Sequence, residues 1–117
     1  MPKPLVYRPP YANGKPAAWL SELGDRSGVY VIRDARSHRV LYVGESHSGR
    51  LRKTLLRHFQ KWSGRTAGPT YPPAGVEVAL RLTPPPSAVA AQDNLICRLA
   101  PRDNEVKTRC PVGGNPF

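Results

Sequence analysis

The stretch Gly28-Val29-Tyr30-Val31-Ile32-Arg33-Asp34-Ala35-Arg36-Ser37-His38-Arg39-Val40-Leu41-Tyr42-Val43-Gly44 decides how this chain folds. Two runs rich in β-branched and aromatic residues, Val29–Ile32 and Val40–Val43, flank a polar turn at Asp34–His38, which is the pattern of a β-hairpin. Tyr30 and Tyr42 then stand on adjacent strands and come near one another if they share a face. Downstream, Ser46, Ser48 and Gly49 are helix-start residues. Leu51, Leu55, Phe59 and Trp62 follow at i, i+4, i+8 and i+11 and predict a helix with one buried stripe. The other side of that helix carries Arg50, Arg52, Lys53, Arg57 and Lys61. Residues 64–75, with Pro69, Pro72 and Pro73, read as a loop, and Gly75–Leu82 alternates apolar and polar as a third strand. Pro84-Pro85-Pro86 ends it. Ser87 then starts a second helix that runs to Leu99 and stops before Pro101, because proline disfavours helical geometry in the residue that precedes it. The predicted order is β-β-α-β-α.

The rest of the chain frames this core. With 117 residues and 14 prolines it has length for one small domain. Residues 1–24 form a Pro-rich arm with a short helical turn at Ala17–Leu23, residues 25–104 the domain, and residues 105–117 a tail. Five prolines in the first sixteen positions argue against helix or sheet interior in the arm. No run of residues is apolar and long enough to span a membrane, and Met1-Pro2-Lys3-Pro4 lacks the apolar region of a signal peptide, so a cytoplasmic protein is expected. Cys97 and Cys110 form no C-x-x-C and read as reduced thiols. Eighteen Lys and Arg against eight Asp and Glu leave a net charge of +10, which argues for a polyanionic partner, nucleic acid above all; the bland alternative is a generic basic surface. The excess is concentrated: Arg50, Arg52, Lys53, Arg57, Lys61 and Arg65 fall between Glu45 and Glu77, where no acid occurs.

Gly28-Val29-Tyr30, eleven residues, then Tyr42-Val43-Gly44 resembles the paired signature of the GIY-YIG endonucleases. Gln92-Asp93-Asn94-Leu95-Ile96 through Pro101-Arg102-Asp103-Asn104 resembles that family's closing segment, E-x-N-L-I followed by P-R-x-N. The resemblance runs from about Gly28 to Asn104 in the same order. It implies an α/β (α+β) fold with a small three-stranded, mainly antiparallel sheet flanked by helices, and an enzyme that hydrolyses DNA phosphodiesters with one Mg²⁺ or Mn²⁺. Tyr30 and Tyr42 match the two signature tyrosines, which activate and orient the attacking water. A phenol with a pKa near 10 is a poor base at neutral pH, so the family's metal-bound water and nearby cations must assist it. For the family arginine that neutralises the scissile phosphate, counting from Tyr42 points to Arg52, whereas anchoring on Arg57-His58-Phe59 puts Thr54 at the expected position; Arg50, which shares a helix face with Thr54 and His58 at i, i+4, i+8, is the first choice and Arg52 the reserve. His58 stands where relatives place His or Tyr and is a candidate proton acceptor. Arg52, Lys53, Arg57 and Lys61 are candidate DNA contacts, with solvated surface cations the plain alternative.

Gln92 departs from the pattern. The family has there a glutamate that holds the metal, and Gln offers one uncharged carbonyl oxygen to a hard cation. On residues alone, Gln92 shares a helical stripe with Val89, Ile96 and Leu99 and so points into the packing face. Three readings stand side by side: a glutamate exchanged for its uncharged isostere, a scaffold that binds nucleic acid without cutting it, or another acid serving as ligand. Asp93 is about 100° around the helix from position 92, and Glu45, just after Tyr42-Val43-Gly44, is the alternative acid. The runner-up function is therefore a non-catalytic nucleic-acid-binding module on the same scaffold.

Overall fold

The computed structural model describes residues 5–59 and 71–104. The elements follow in the order β1 (Tyr11–Ala12), β2 (Lys15–Pro16), α1 (Ala18–Ser21), β3 (Gly28–Asp34), β4 (Val40–Ser46), α2 (Leu51–Leu56), β5 (Val76–Leu82) and α3 (Ala88–Leu99), with 3-10 turns at Arg57–Phe59, Pro73–Gly75 and Pro85–Ser87. Strands β4, β3 and β5 form one antiparallel sheet in that order, and from β3 onward the chain follows the predicted β-β-α-β-α. The result is a small α+β domain.

Alternation along β3 divides its side chains between two cores. Tyr30 and Ile32 join Leu20, Leu51, Leu55 and Val78 on one face; Val29 and Val31 join Val43, Ala79, Leu95 and Ile96 on the other, where α3 packs. The β3–β4 turn is held by Asp34, whose Oδ1 accepts hydrogen bonds from the backbone N–H groups of Arg36 and Ser37, both at 2.8 Å. Register pairs Tyr30 with Gly44 and Ile32 with Tyr42, then shifts by one residue before Arg33. That pairing puts Tyr30 and Tyr42 on the same face as diagonal neighbours.

Both signature glycines have a steric reason. A Cβ at Gly28 would lie within 3.0 Å of the Arg81 carbonyl oxygen and the Leu82 Cα of the neighbouring strand. A Cβ at Gly44 would lie within 3.0 Å of Tyr30 Cζ, Oη and Cε1, because the Tyr30 ring runs across the β4 backbone at that point. The glycine of one tripeptide makes room for the tyrosine of the other.

Three expectations are corrected. The arm is structured where described: Asn13 and Gly14 adopt positive φ (54° and 76°) to close the β1–β2 hairpin, and Arg8 pairs with Val78 beyond β5 through backbone bonds of 2.9 and 2.8 Å. Its prolines are tolerated because Pro16 sits at a strand end and Pro10 fills a buried gap. The helix after the hairpin is shorter than its apolar stripe suggested; it tightens to 3-10 geometry at Arg57, and positions 60–62, with Lys61 and Trp62, lie outside the described residues. Cys97 carries a disulfide and is not a reduced thiol; its partner lies outside the described residues. The second helix matches its predicted span and ends on Ala100 in left-handed geometry (φ 47°) before the buried Pro101. Beyond it, Asn104 accepts from Val43 N–H at 3.0 Å and donates to Val43 C=O at 2.9 Å, while Arg102 and Asp103 N–H groups bond Val40 and Leu41. The Pro101–Asn104 segment thus closes the open edge of β4.

Candidate active site and nucleic-acid interface

Tyr30, Tyr42 and His58 meet above the β3–β4 pair. Tyr30 Oη and His58 Nε2 are 2.6 Å apart, a short hydrogen bond whose donor depends on the imidazole tautomer. The Tyr42 ring lies 4.8 Å from the imidazole and 6.2 Å from the Tyr30 ring. Burial differs among them: Tyr30 and His58 are each 2% exposed, whereas Tyr42 is half-buried against the same core. His58 follows Leu51 and Leu55 at i+7 and i+3, so it continues the buried stripe of α2 into the 3-10 turn Arg57–Phe59 and leaves the face of Arg50.

Tyr71 completes the cluster, its ring 6.2 Å from the imidazole. Its N–H bonds the His58 carbonyl, and its hydroxyl donates to Asp103 Oδ2 at 2.8 Å; Asp103 in turn accepts from Arg102 at 2.7 and 2.9 Å. Sequence reading passed over Tyr71 and Asp103. The available signals were a lone aromatic in a proline-rich loop and an acid inside the closing P-R-x-N run.

Burial pushes the Tyr30 phenol well above its ordinary value of 10.0, and Tyr42, Glu45 and Tyr71 push the same way, against a smaller opposite pull from Arg57. Tyr30 is therefore a neutral hydroxyl at physiological pH. Tyr71 is also raised, by burial first and then by its bond to Asp103. For an acid raised in the folded state, the stabilisation is complete below the unfolded pKa, here 10.0, and is lost as pH climbs beyond it. Urea midpoints from pH 8 to 11.5 should stay level up to about 10 and fall beyond, more gently in Tyr71→Phe. A Tyr71→Phe curve as steep as the parent's would contradict this.

The other predicted residues are distributed around this cluster. Arg57, expected as a plain DNA contact, is the cation whose charge reaches the Tyr30 phenol. Arg50, expected beside His58, is exposed and lines a separate cleft at the start of α2 with Arg52 and Lys53. Glu45 is paired with Val29, which places it on the α3 side of β4; its carboxylate holds His47 Nδ1 at 3.0 Å and still acts on Tyr30. Gln92 is half-buried on α3, the helix whose Leu95 and Ile96 pack on the Val29 and Val43 face. It is not among the groups that touch the tyrosine–histidine cluster.

A resident divalent metal is a poor fit to these donors. Among the described residues no three His, Cys, Asp or Glu side chains gather into a ligand group. Glu45 is a single carboxylate already engaged by His47, and position 92 offers an amide. Comparison with family models, with curated proteins and with solved structures finds no match to this chain. No helix among the described residues is long and apolar enough to cross a membrane.

Proposed function

We propose that this chain is a DNA endonuclease of the GIY-YIG type, a phosphodiester hydrolase with an amide in place of the carboxylate expected at position 92. The observation that carries the reading is the convergence of Tyr30 and Tyr42, one from each signature tripeptide, on His58. Tyr42, the more exposed of the two tyrosines, orients the attacking water. Imidazole is the side-chain type in the cluster that ordinarily exchanges a proton near neutral pH, so His58 is the acceptor. Tyr30, kept neutral by burial, fixes the orientation of His58 through their 2.6 Å bond. Arg57 supplies positive charge at the cluster, and the exposed cations of α2 hold the DNA backbone without reading its sequence.

A second reading, a non-catalytic module that binds nucleic acid on the same scaffold, is favoured by Gln92 and by the thin donor set for Mg²⁺ or Mn²⁺. Cleavage of single-stranded, duplex and branched DNA with Mg²⁺ or Mn²⁺, by the chain and by Gln92→Glu, separates the two. The resemblance predicts that a carboxylate at 92 raises metal-dependent cleavage above that of the parent chain, even though Glu45 and position 92 belong to the α3 side of the sheet and the tyrosine–histidine cluster to the other. Absence of cleavage by both, with DNA binding intact, would leave the binding module as the function.

A further inference from the structure

A cleft of about 330 Å³ opens between the Gly24–Asp25 turn and the start of α2, with Arg50, Arg52 and Lys53 on one wall and Gly24, Asp25 and Gly49 on the other. We propose that this cleft holds a phosphate group of a bound nucleic-acid strand, apart from the tyrosine–histidine cluster. The proposal rests on the nucleic-acid reading above and adds to it a defined anchoring point.

Charge is the first support. The Arg50, Arg52 and Lys53 side chains are exposed and have no ion-pair or hydrogen-bond partner among the described residues. By contrast, Arg33 is engaged by Glu77, Arg102 by Asp103, and Arg8 lies over the Trp19 ring. Three like charges within four residues repel one another, and an anion between them relieves that repulsion. Two guanidinium forks beside an ammonium suit the tetrahedral oxygens of a phosphate.

The walls are built to keep their shape. Gly49 takes φ +74°, and a Cβ there would come 3.3 Å from the Asp25 carbonyl oxygen, so the two loops pass closely. The N–H groups of Gly49, Arg50 and Leu51 are already used by Ser27 Oγ (3.0 Å), Ser46 Oγ (3.1 Å) and the Arg26 carbonyl (3.1 Å). Attraction for the anion therefore comes from the side chains, while those backbone bonds hold the chain that carries them. Asp25 is the acid on the opposite wall and opposes the anion.

The cleft is also spaced from the cluster by a useful length. Eight residues separate Arg50 from His58, about 12 Å along a helix at 1.5 Å per residue. A duplex strand presents roughly three or four phosphates over that distance. A phosphate in the cleft would set the register in which a more distant phosphodiester meets Tyr42.

The test is fluorescence anisotropy with a labelled oligonucleotide across a salt series, for the parent chain, Arg52→Ala/Lys53→Ala and Asp25→Asn. The double variant should bind more weakly, with the slope of log affinity against log salt shallower by about two, one for each cation removed. Asp25→Asn should bind more tightly. Loss confined to 5′-phosphorylated strands identifies a terminal phosphate as the occupant, and equal loss on 5′-hydroxyl strands an internal one. Unchanged affinity and slope in the double variant, alongside normal binding by the parent, would overturn the cleft and leave the nucleic-acid reading intact. If the parent binds no oligonucleotide, both fail as stated.

Discussion

Gly44→Ala should destabilise the domain by about 1–3 kcal/mol from overpacking alone, and by about a further 1–3 kcal/mol where the buried hydrogen bond beneath it is lost. The added methyl would overlap the end of the Tyr30 side chain. A flexible side chain could swing away. Tyr30 is instead a planar ring, 2% exposed, packed among Leu20, Ile32, Leu51 and Leu55 and tied to His58 at 2.6 Å. Any displacement that clears the methyl stretches that bond or opens the packing around it. Denaturant unfolding would give the free energy directly, and Tyr30→Leu in the Gly44→Ala background should recover part of the loss because it removes the colliding atoms. A Gly44→Ala chain as stable as the parent would show that the ring crosses β4 elsewhere. The same substitution should also reduce cleavage, since it displaces the group that orients His58.

Tyr42→Phe should lower the cleavage rate by about 10²–10⁴-fold, the usual contribution of a group engaged in proton transfer, while leaving DNA affinity and fold in place. Tyr42 is half-buried and its ring packs on the core, so removing its hydroxyl takes away the group proposed to orient water while the ring stays in place. The measurement is single-turnover cleavage in whichever of the parent or Gln92→Glu backgrounds cuts, with affinity read in parallel. Tyr30→Phe provides the contrast. It keeps the ring but leaves buried His58 Nε2 without its 2.6 Å partner, so its first effect is on stability, about 1–3 kcal/mol. Cleavage by Tyr42→Phe at the parent rate would remove Tyr42 from the chemistry and return it to a packing role.

The hairpin, the third strand and the second helix were legible in the sequence because each is a local pattern: alternation broken by a polar turn, or an apolar stripe bounded by proline. The tyrosine pair was legible for the same reason, since period-two alternation along two adjacent strands constrains which residues share a face. The Pro-rich arm misled because proline counts report missing donors and not packing. Pro10 is buried, and Arg8 still exchanges two backbone bonds with Val78.

The sequence by itself determined the order of elements from β3 onward, the placing of Tyr30 and Tyr42 on adjacent strands of one hairpin and the acid-free run of cations that follows. Tertiary structure alone decided how those cations divide. Packing of α2 on the sheet sets His58 against Tyr42 and lets the charge of Arg57 act on Tyr30, while Arg50 stays at the far end of α2 against the Gly24–Asp25 turn. It also recruited Tyr71 and Asp103, which stand 32 residues apart and meet through one 2.8 Å bond. Periodicity fixes neighbours only within an element. Which elements face one another, and where a helix tightens, depends on the packing of side chains far apart in the chain.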